Sequence, residues 1–113
     1  MAALAAARLG YRCHILSEER DSPAGLVSAV ETVGRYDDEA TLAAFAKAVD
    51  VATFEFENVP AATAEFLARH VTIRPGANAL AIAQDRLKEK NFINGIGIAT
   101  APFRAVEIGR AHV

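Results

Sequence analysis

Apolar residues occur along the chain in two kinds of pattern, short continuous runs and runs spaced at the helical period. In the clearest helical run, four apolar residues occupy positions i, i+3, i+4 and i+7: Leu42, Phe45, Ala46 and Val49. This spacing places them on one face of a helix, and it predicts that this face is buried. The acidic residues 37–39 just before the run favour a helix N-terminus, where free backbone N–H groups attract negative charge.

The other segments predict helices and strands in alternation. We expect helices over residues 1–9, 60–70 and 78–94, a helical turn over 24–29, and strands over 11–17, 30–36, 51–57 and 71–75. Gly10 suits the left-handed residue after a helix, Pro60 suits a helix start, and Asp85 can begin a new helix inside the last segment. Short strands that alternate with helices are typical of an α/β fold with a parallel sheet flanked by helices.

The sequence does not open in the way that this fold class usually does. A doubly wound domain normally begins with a strand, a glycine-rich turn and then a helix. Residues 1–9 already form a helical segment, so we expect a Rossmann-like domain that lacks its first strand and glycine-rich loop. Either the fold is unusual, or the first strand belongs to a longer parent chain.

Composition narrows the class of protein further. The chain has 113 residues, 52% of them apolar, which suits one soluble domain with a modest core. Its net charge of −2 gives no reason to expect a nucleic-acid partner. The single cysteine, Cys13, excludes an internal disulfide and suits a reduced, cytoplasmic location. We expect no membrane span and no metal site, because no apolar run is long enough and the three histidines are scattered.

The segment TFEFENVP, residues 53–60, is the first candidate for chemistry. If residues 51–57 form a strand, Phe54 and Phe56 face one way, and Glu55 and Glu57 face the other. The carboxylates then lie at the carboxyl end of the strand, the edge at which open α/β sheets bind ligands. A solvated strand end explains the same pattern, and the spacing alone leaves both interpretations open.

The segment AQDRLKEKNF, residues 83–92, is the second candidate. It places Arg86, Lys88 and Lys90 within about one and a half turns of helix. Arginine can bind a phosphate through two parallel hydrogen bonds, whereas lysine acts as a point charge. An exposed charged helix, in which Glu89 balances the cations, also accounts for this segment.

Five segments of the chain form one recognisable set; they are, in order, AAARLGYRCHIL, DSPA, YDDEATLAAFA, VATFEFENVP and IRPGANALAIAQDRLKEKNFINGIGIATAPF. Together they resemble a known family, the N5-carboxyaminoimidazole ribonucleotide synthetases (PurK) of the ATP-grasp superfamily. The resemblance covers residues 1–106, and its most specific parts are EFENVP and AQDRLKEKNF. It implies a truncated preATP-grasp domain over residues 1–77, followed over 78–106 by the helical start of the link to an ATP-grasp domain.

The resemblance implies an ATP-dependent ligase of de novo purine biosynthesis. Such an enzyme uses ATP to activate bicarbonate and carboxylates 5-aminoimidazole ribonucleotide to N5-carboxyaminoimidazole ribonucleotide. The implied ligands are therefore ATP, magnesium, bicarbonate and 5-aminoimidazole ribonucleotide, with magnesium bridging the ATP phosphates. We expect the parent enzyme to be a cytoplasmic homodimer.

Four residues match positions at which the family binds its substrates. Glu55, Glu57 and Asn58 correspond to the aminoimidazole ribonucleotide pocket, where a carboxylate can accept hydrogen bonds from ribose hydroxyls or from the amine. We favour Glu55 slightly over Glu57, although the sequence does not decide between them. Arg86 corresponds to an arginine that contacts ATP. No residue of this chain is assigned as a catalytic group or a metal ligand.

The sequence also departs from the family's pattern. It lacks the glycine-rich turn that helps to hold the substrate phosphate and the ATP-grasp region that binds most of ATP and magnesium, so we expect the 113-residue chain alone to be inactive. Residues 107–113, EIGRAHV, match nothing in the family and are interpreted as a non-native tail. Two alternatives stay open: another ATP-grasp ligase, such as a formate-dependent transformylase or a biotin carboxylase, and a non-catalytic α/β binding module.

Overall fold

The computed structural model describes residues 1–106, in which α-helices alternate with short β-strands. The helices are α1 (Ala2–Arg8), α2 (Glu39–Lys47), α3 (Ala61–Ala68), α4 (Ala77–Ala83) and α5 (Arg86–Gly95). The strands are β1 (His14–Ser17), β2 (Val30–Val33), β3 (Val51–Ala52) and β4 (Thr72–Ile73), and a short 3-10 helix spans Gly25–Val27. This order confirms the predicted α/β class. Residues 107–113, interpreted above as a non-native tail, lie outside the described residues.

The strand pairing within residues 1–106 is parallel, as predicted, and it is divided between two small sheets. β1 pairs with β2 in a register that sets His14 opposite Val30. β3 pairs with β4 in a register that sets Ala52 opposite Ile73. No ladder joins the two sheets in this part of the chain. Because both pairs are parallel, the loops that follow the two strands of each sheet gather at one edge.

The core lies where α2, α3 and α4 pack against β3 and β4. Leu42, Phe45 and Ala46 of α2 are buried, which confirms the predicted face for these three residues, whereas Val49 lies beyond the end of α2 and is only half-buried. The neighbouring elements contribute the other buried members of this cluster: Ala52, Ala64, Leu67, Ile73 and Leu80. Leu42 is only 2% exposed, and burying such a side chain favours folding by about 1.5–3 kcal/mol.

The strands are shorter than the sequence pattern predicts, most clearly after Ala52. Arg74 donates its backbone N–H to the carbonyl oxygen of Ala52 at 3.0 Å, and no further ladder hydrogen bond joins the two segments beyond this one in the described chain. The prediction of a strand over residues 51–57 is therefore wrong beyond Ala52, and residues 53–59 leave the sheet. Phe54 is half-buried but Phe56 is 65% exposed, so the two side chains do not share a buried face.

The helix boundaries follow the predicted signals closely. Gly10 has a φ of 84° and ends the turn after α1, as expected for a left-handed residue. At the start of α2, the Asp38 carboxylate accepts the backbone N–H of Thr41 at 3.3 Å. The predicted break near Asp85 is also present, and this residue caps a new helix, α5. Pro60 directly precedes α3 instead of lying within its first turn.

α4 and α5 differ in how they join the rest of the domain. Leu80 of α4 is 1% exposed and belongs to the core, whereas no residue of α5 is buried. The predicted boundary between residues 77 and 78 stays a prediction. None of the helices within residues 1–106 is long and apolar enough to cross a membrane.

Candidate substrate-binding edge

The predicted acidic residues lie on a loop that follows β3, residues 53–59, which we call the acidic loop. Phe54 and Val59 are half-buried and pack against the core, so they anchor the two ends of the loop. Glu55, Glu57 and Asn58 lie between these anchors and are exposed to solvent. The structure therefore places all three at the predicted edge of the sheet, although a loop carries them there and not a strand.

Gln84 connects the acidic loop to the second candidate segment. Its side-chain nitrogen Nε2 lies 2.6 Å from the carbonyl oxygen of Glu57 and 2.5 Å from that of Val59. A primary amide nitrogen has two N–H groups, so it can donate one hydrogen bond to each carbonyl. The segments EFENVP and AQDRLKEKNF, which are separate in sequence, thus meet through one side chain.

An open depression of about 320 Å³ lies where these two segments meet. It is lined by Glu57, Asn58, Pro60, Ala83 and Gln84. Two of the four predicted binding residues line it, while Glu55 and Arg86 do not. A larger depression of about 470 Å³ runs along β4 between residues 68 and 77, away from all four. We assign the candidate site to the smaller depression because it combines the two motifs.

Arg86 is the first residue of α5, directly after the capping residue Asp85. The Asp85 carboxylate accepts backbone N–H groups from Leu87 at 2.9 Å and from Lys88 at 3.0 Å, which fixes the start of the helix. The Arg86 side chain is 76% exposed and forms an ion pair with Glu89. Exposed pairs of this kind contribute only about 0–1 kcal/mol, so the guanidinium remains available to an anionic ligand.

Lys88 and Lys90 lie on the outer surface of α5, with no contact to the acidic loop among the described hydrogen bonds. Lys90 places its ammonium group 5.3 Å from the centre of the Phe103 ring, in a cation–π contact with the segment after α5. Lys88 is exposed on the same helix. These positions suit the charged helix surface that was one of the two interpretations of the segment.

The acidic residues of the site do not form a metal centre. Within residues 1–106, no group of three or more histidine, cysteine, aspartate or glutamate side chains is arranged to hold a metal ion. Magnesium prefers octahedral coordination by several oxygen atoms. The described residues therefore do not fit a magnesium site.

The carboxylate of Glu31, on β2, orders the loop that contains the DSPA segment. It accepts hydrogen bonds from the backbone N–H groups of Asp21 and Ser22, both at 3.1 Å, and from the Ser22 hydroxyl at 2.6 Å. The hydrogen bond from the Ser22 side chain is the main cause that lowers the pKa of Glu31. A Cβ atom at Gly25 would lie 1.9 Å from a Glu31 oxygen, so glycine is required for this close approach.

Neither Gln84 nor Glu31 was singled out from the sequence. Gln84 lies inside the AQDR motif, where the charged neighbours Asp85 and Arg86 draw attention away from a neutral amide. Glu31 lies in an expected strand with no motif around it. Their partners are 25 to 27 and 9 to 10 residues away, so no local pattern reveals the contacts.

A known family of proteins shares the helices and strands that form the candidate site. The sequence model of the ribonucleotide synthetase preATP-grasp domain matches residues 1–84, which extend from α1 through α4 to Gln84. The chain therefore belongs to the family of ribonucleotide synthetase preATP-grasp domains.

Individual relatives carry more specific names. An N5-carboxyaminoimidazole ribonucleotide synthase of Brucella melitensis is 48% identical over 107 residues, which are 95% of this chain and 30% of the relative. The crystal structure of an ADP complex of purK, an N5-carboxyaminoimidazole ribonucleotide synthetase, is 35% identical with a TM-score of 0.85, over 90% of this chain and 27% of that one.

A third relative was crystallised with two ligands bound. The N5-carboxyaminoimidazole synthase of Aspergillus clavatus, in complex with ADP and 5-aminoimidazole ribonucleotide, is 28% identical with a TM-score of 0.78, over 89% of this chain and 27% of that one. The present chain spans less than a third of the length of each of these relatives. The structural likeness confirms the predicted preATP-grasp fold.

Proposed function

We propose that this chain is the preATP-grasp part of a longer ligase that carboxylates 5-aminoimidazole ribonucleotide in purine biosynthesis. The parent enzyme consumes ATP and bicarbonate and releases ADP, phosphate and N5-carboxyaminoimidazole ribonucleotide. The observation that carries the proposal is the meeting of the EFENVP and AQDRLKEKNF segments through Gln84, in a domain of the ribonucleotide synthetase family. Relatives named as this synthase, one of them with the nucleotide substrate bound, support it.

In this proposal the acidic loop binds 5-aminoimidazole ribonucleotide. Glu55 and Glu57 accept hydrogen bonds from the ribose hydroxyls or the exocyclic amine, and the Asn58 amide can both donate and accept. Their exposure suits a ligand that arrives from solvent. A hydrogen bond to a charged group contributes about 1.5–3 kcal/mol, which is enough to orient the amine for carboxylation.

Arg86 is assigned to ATP. Its planar guanidinium can form two parallel hydrogen bonds to a phosphate oxygen pair, and its charge is permanent at any physiological pH. The Asp85 cap fixes the start of α5 and therefore the backbone position from which the Arg86 side chain extends. On binding, a phosphate replaces Glu89 as the partner of this side chain.

Magnesium and the remaining contacts to ATP belong to the parent enzyme outside residues 1–106. When bound, the metal neutralises charge on the ATP phosphates. We therefore propose that the 113-residue chain alone has no ligase activity. A cytoplasmic homodimer is also proposed for the parent enzyme.

Two other functions compete with this one. Another ATP-grasp ligase, such as a transformylase or a biotin carboxylase, agrees less well with the names of the relatives, which specify the carboxyaminoimidazole synthase. A non-catalytic α/β binding module predicts cooperative unfolding of the 113-residue chain and ligand binding without turnover.

A hybrid enzyme tests the proposal. Residues 1–106 replace the matching segment of the Brucella melitensis synthase, and ADP formation is measured with each substrate omitted in turn. We expect ADP release that requires both bicarbonate and 5-aminoimidazole ribonucleotide, while the 113-residue chain alone releases none. A folded hybrid that does not respond to 5-aminoimidazole ribonucleotide contradicts the proposed substrate, and turnover by the 113-residue chain contradicts the assignment of ATP binding to other regions.

A further inference from the structure

We propose that Gln84 is a positioning residue that holds the acidic loop in its binding conformation. Its Nε2 atom donates to two carbonyl oxygens of that loop, those of Glu57 and Val59, at 2.6 Å and 2.5 Å. These two acceptors flank Asn58, and Gln84 itself lines the depression beside Glu57 and Asn58. The same side chain thus shapes one wall of the candidate site and fixes the backbone of the opposite wall.

The acidic loop has little other means of holding this shape. Among the hydrogen bonds within residues 53–59, the backbone contributes one from Val59 N–H to the Phe56 carbonyl oxygen, and at 3.5 Å it is weak. The loop lies beyond the β3–β4 ladder, so the sheet does not hold it either. The two bonds from Gln84 are the shortest polar contacts that join the loop to the rest of the described chain.

Gln84 is well suited to transmit rigidity from the core to this loop. It is the C-terminal capping residue of α4, and its backbone N–H donates to the Leu80 carbonyl oxygen at 3.0 Å. Leu80 is 1% exposed, so the backbone that carries Gln84 is fixed by core packing. Asp85 and Arg86 follow directly, so the loop is held at a constant distance from the start of α5.

Gln84 can hold the acidic loop only if its side-chain N–H groups donate hydrogen bonds. Variants of similar size that lack these N–H groups distinguish this role from simple filling of space. Gln84→Glu keeps the length but points carboxylate oxygens at two carbonyl oxygens, so it repels the loop. Gln84→Met keeps the volume without any N–H group. Gln84→Lys supplies three donors on a stem of similar length and is expected to restore the contacts. Asn78→Asp is the matched control, because Asn78 is an exposed amide on the same helix without a side-chain hydrogen bond in the described chain.

The first measurement is independent of catalysis. Backbone 15N relaxation of the 113-residue chain gives order parameters for residues 53–59 and 61–68. We expect Gln84→Glu and Gln84→Met to lower the order parameters of the acidic loop to below about 0.6, with α3 near about 0.85 in every variant and with Gln84→Lys and Asn78→Asp close to the wild type. Equal order parameters in the wild type, Gln84→Glu and Gln84→Met overturn the inference.

The second measurement rests on the proposed function and uses the hybrid enzyme. Because the loop moves while α4 stays fixed, Gln84→Glu should raise KM for 5-aminoimidazole ribonucleotide about tenfold and change kcat and KM for ATP less than twofold. A purely structural defect lowers the amount of active enzyme and leaves KM unchanged. If the wild-type hybrid is inactive, the proposed function fails while the order parameters still decide the role of Gln84. If the wild-type hybrid is active and Gln84→Glu retains its KM, the positioning role is wrong.

Discussion

α4 and α5 are consecutive helices that are held in place by different forces. α4 spans seven residues and packs against α3 through the buried side chain of Leu80. α5 spans ten residues, none of them buried, and exposes Leu87 and Phe92 at 40% and 49%. α5 therefore depends on its Asp85 cap and on local contacts. The candidate site lies at the junction, where a helix fixed by the core meets a helix fixed by its cap.

We expect the largest difference when a leucine of each helix is replaced by alanine and the loss in free energy of unfolding is compared. Leu80→Ala leaves a cavity in the core and should reduce the free energy of unfolding by about 2–5 kcal/mol. Leu87→Ala removes a side chain that is already 40% exposed and should cost less than about 1 kcal/mol. Urea unfolding followed by circular dichroism measures both values. Equal losses would show that α5 is packed as firmly as α4.

Asp38 caps α2 and Asp85 caps α5, and the loss of these two caps should affect different amounts of the structure. Removing either cap leaves backbone N–H groups at the start of its helix without their acceptor, so it destabilises that helix. In Asp38→Ala this loss should lower the stability of the whole domain, because α2 carries core residues. In Asp85→Ala the loss should stay local, since α5 buries no residue. Amide exchange distinguishes them, and accelerated exchange throughout the domain in Asp85→Ala contradicts the comparison.

Acidification should change the free energy of unfolding least. It should act through the packing of β1 against α2 and not through α5. His14 lies edge-on to Phe45 with ring centres 5.0 Å apart, and burial lowers its pKa from 6.5. The unfolded chain therefore binds this proton more readily, so stability should fall as pH decreases through about 6.5 and level off below the folded pKa. The pKa of Glu31 is also lowered, and the stability that this carboxylate contributes is lost only at more acidic pH, where it becomes protonated.

A matched variant isolates this titration. His14→Gln retains a group that can hydrogen-bond to Thr32 Oγ1, which lies 2.7 Å from His14 Nε2, but it has no proton to gain. Thermal unfolding between pH 7 and pH 5.5 should show a shallower decline in this variant than in the wild type. Identical slopes would remove His14 as the cause.

The sequence predicts the local structure of this chain better than its strand lengths. The buried face of Leu42, Phe45 and Ala46 and the cap at Asp85 follow from spacing and side-chain type, and both are confirmed. β3 ends at Ala52 with the last backbone hydrogen bond from Arg74, and this end point cannot be located before the register of β3 and β4 is known.

The candidate site shows the same limit. Motif resemblance selects Glu55, Glu57, Asn58 and Arg86, and the structure places the first three on one exposed loop. Whether these four residues bind substrates stays a prediction. Gln84 was missed because its two acceptors are backbone carbonyls, which every residue possesses, so its role depends on the path of a loop 25 residues away.

The central claim is that the acidic loop binds 5-aminoimidazole ribonucleotide while Arg86 binds ATP. The most direct test is steady-state kinetics of the hybrid enzyme carrying Glu55→Gln, Glu57→Gln or Arg86→Ala, with Glu65→Gln, an exposed carboxylate on α3, as control. We predict that at least one acidic-loop variant raises KM for 5-aminoimidazole ribonucleotide about ten- to hundredfold with KM for ATP unchanged, and that Arg86→Ala does the reverse. If neither acidic-loop variant differs from Glu65→Gln, the acidic loop is not the substrate site.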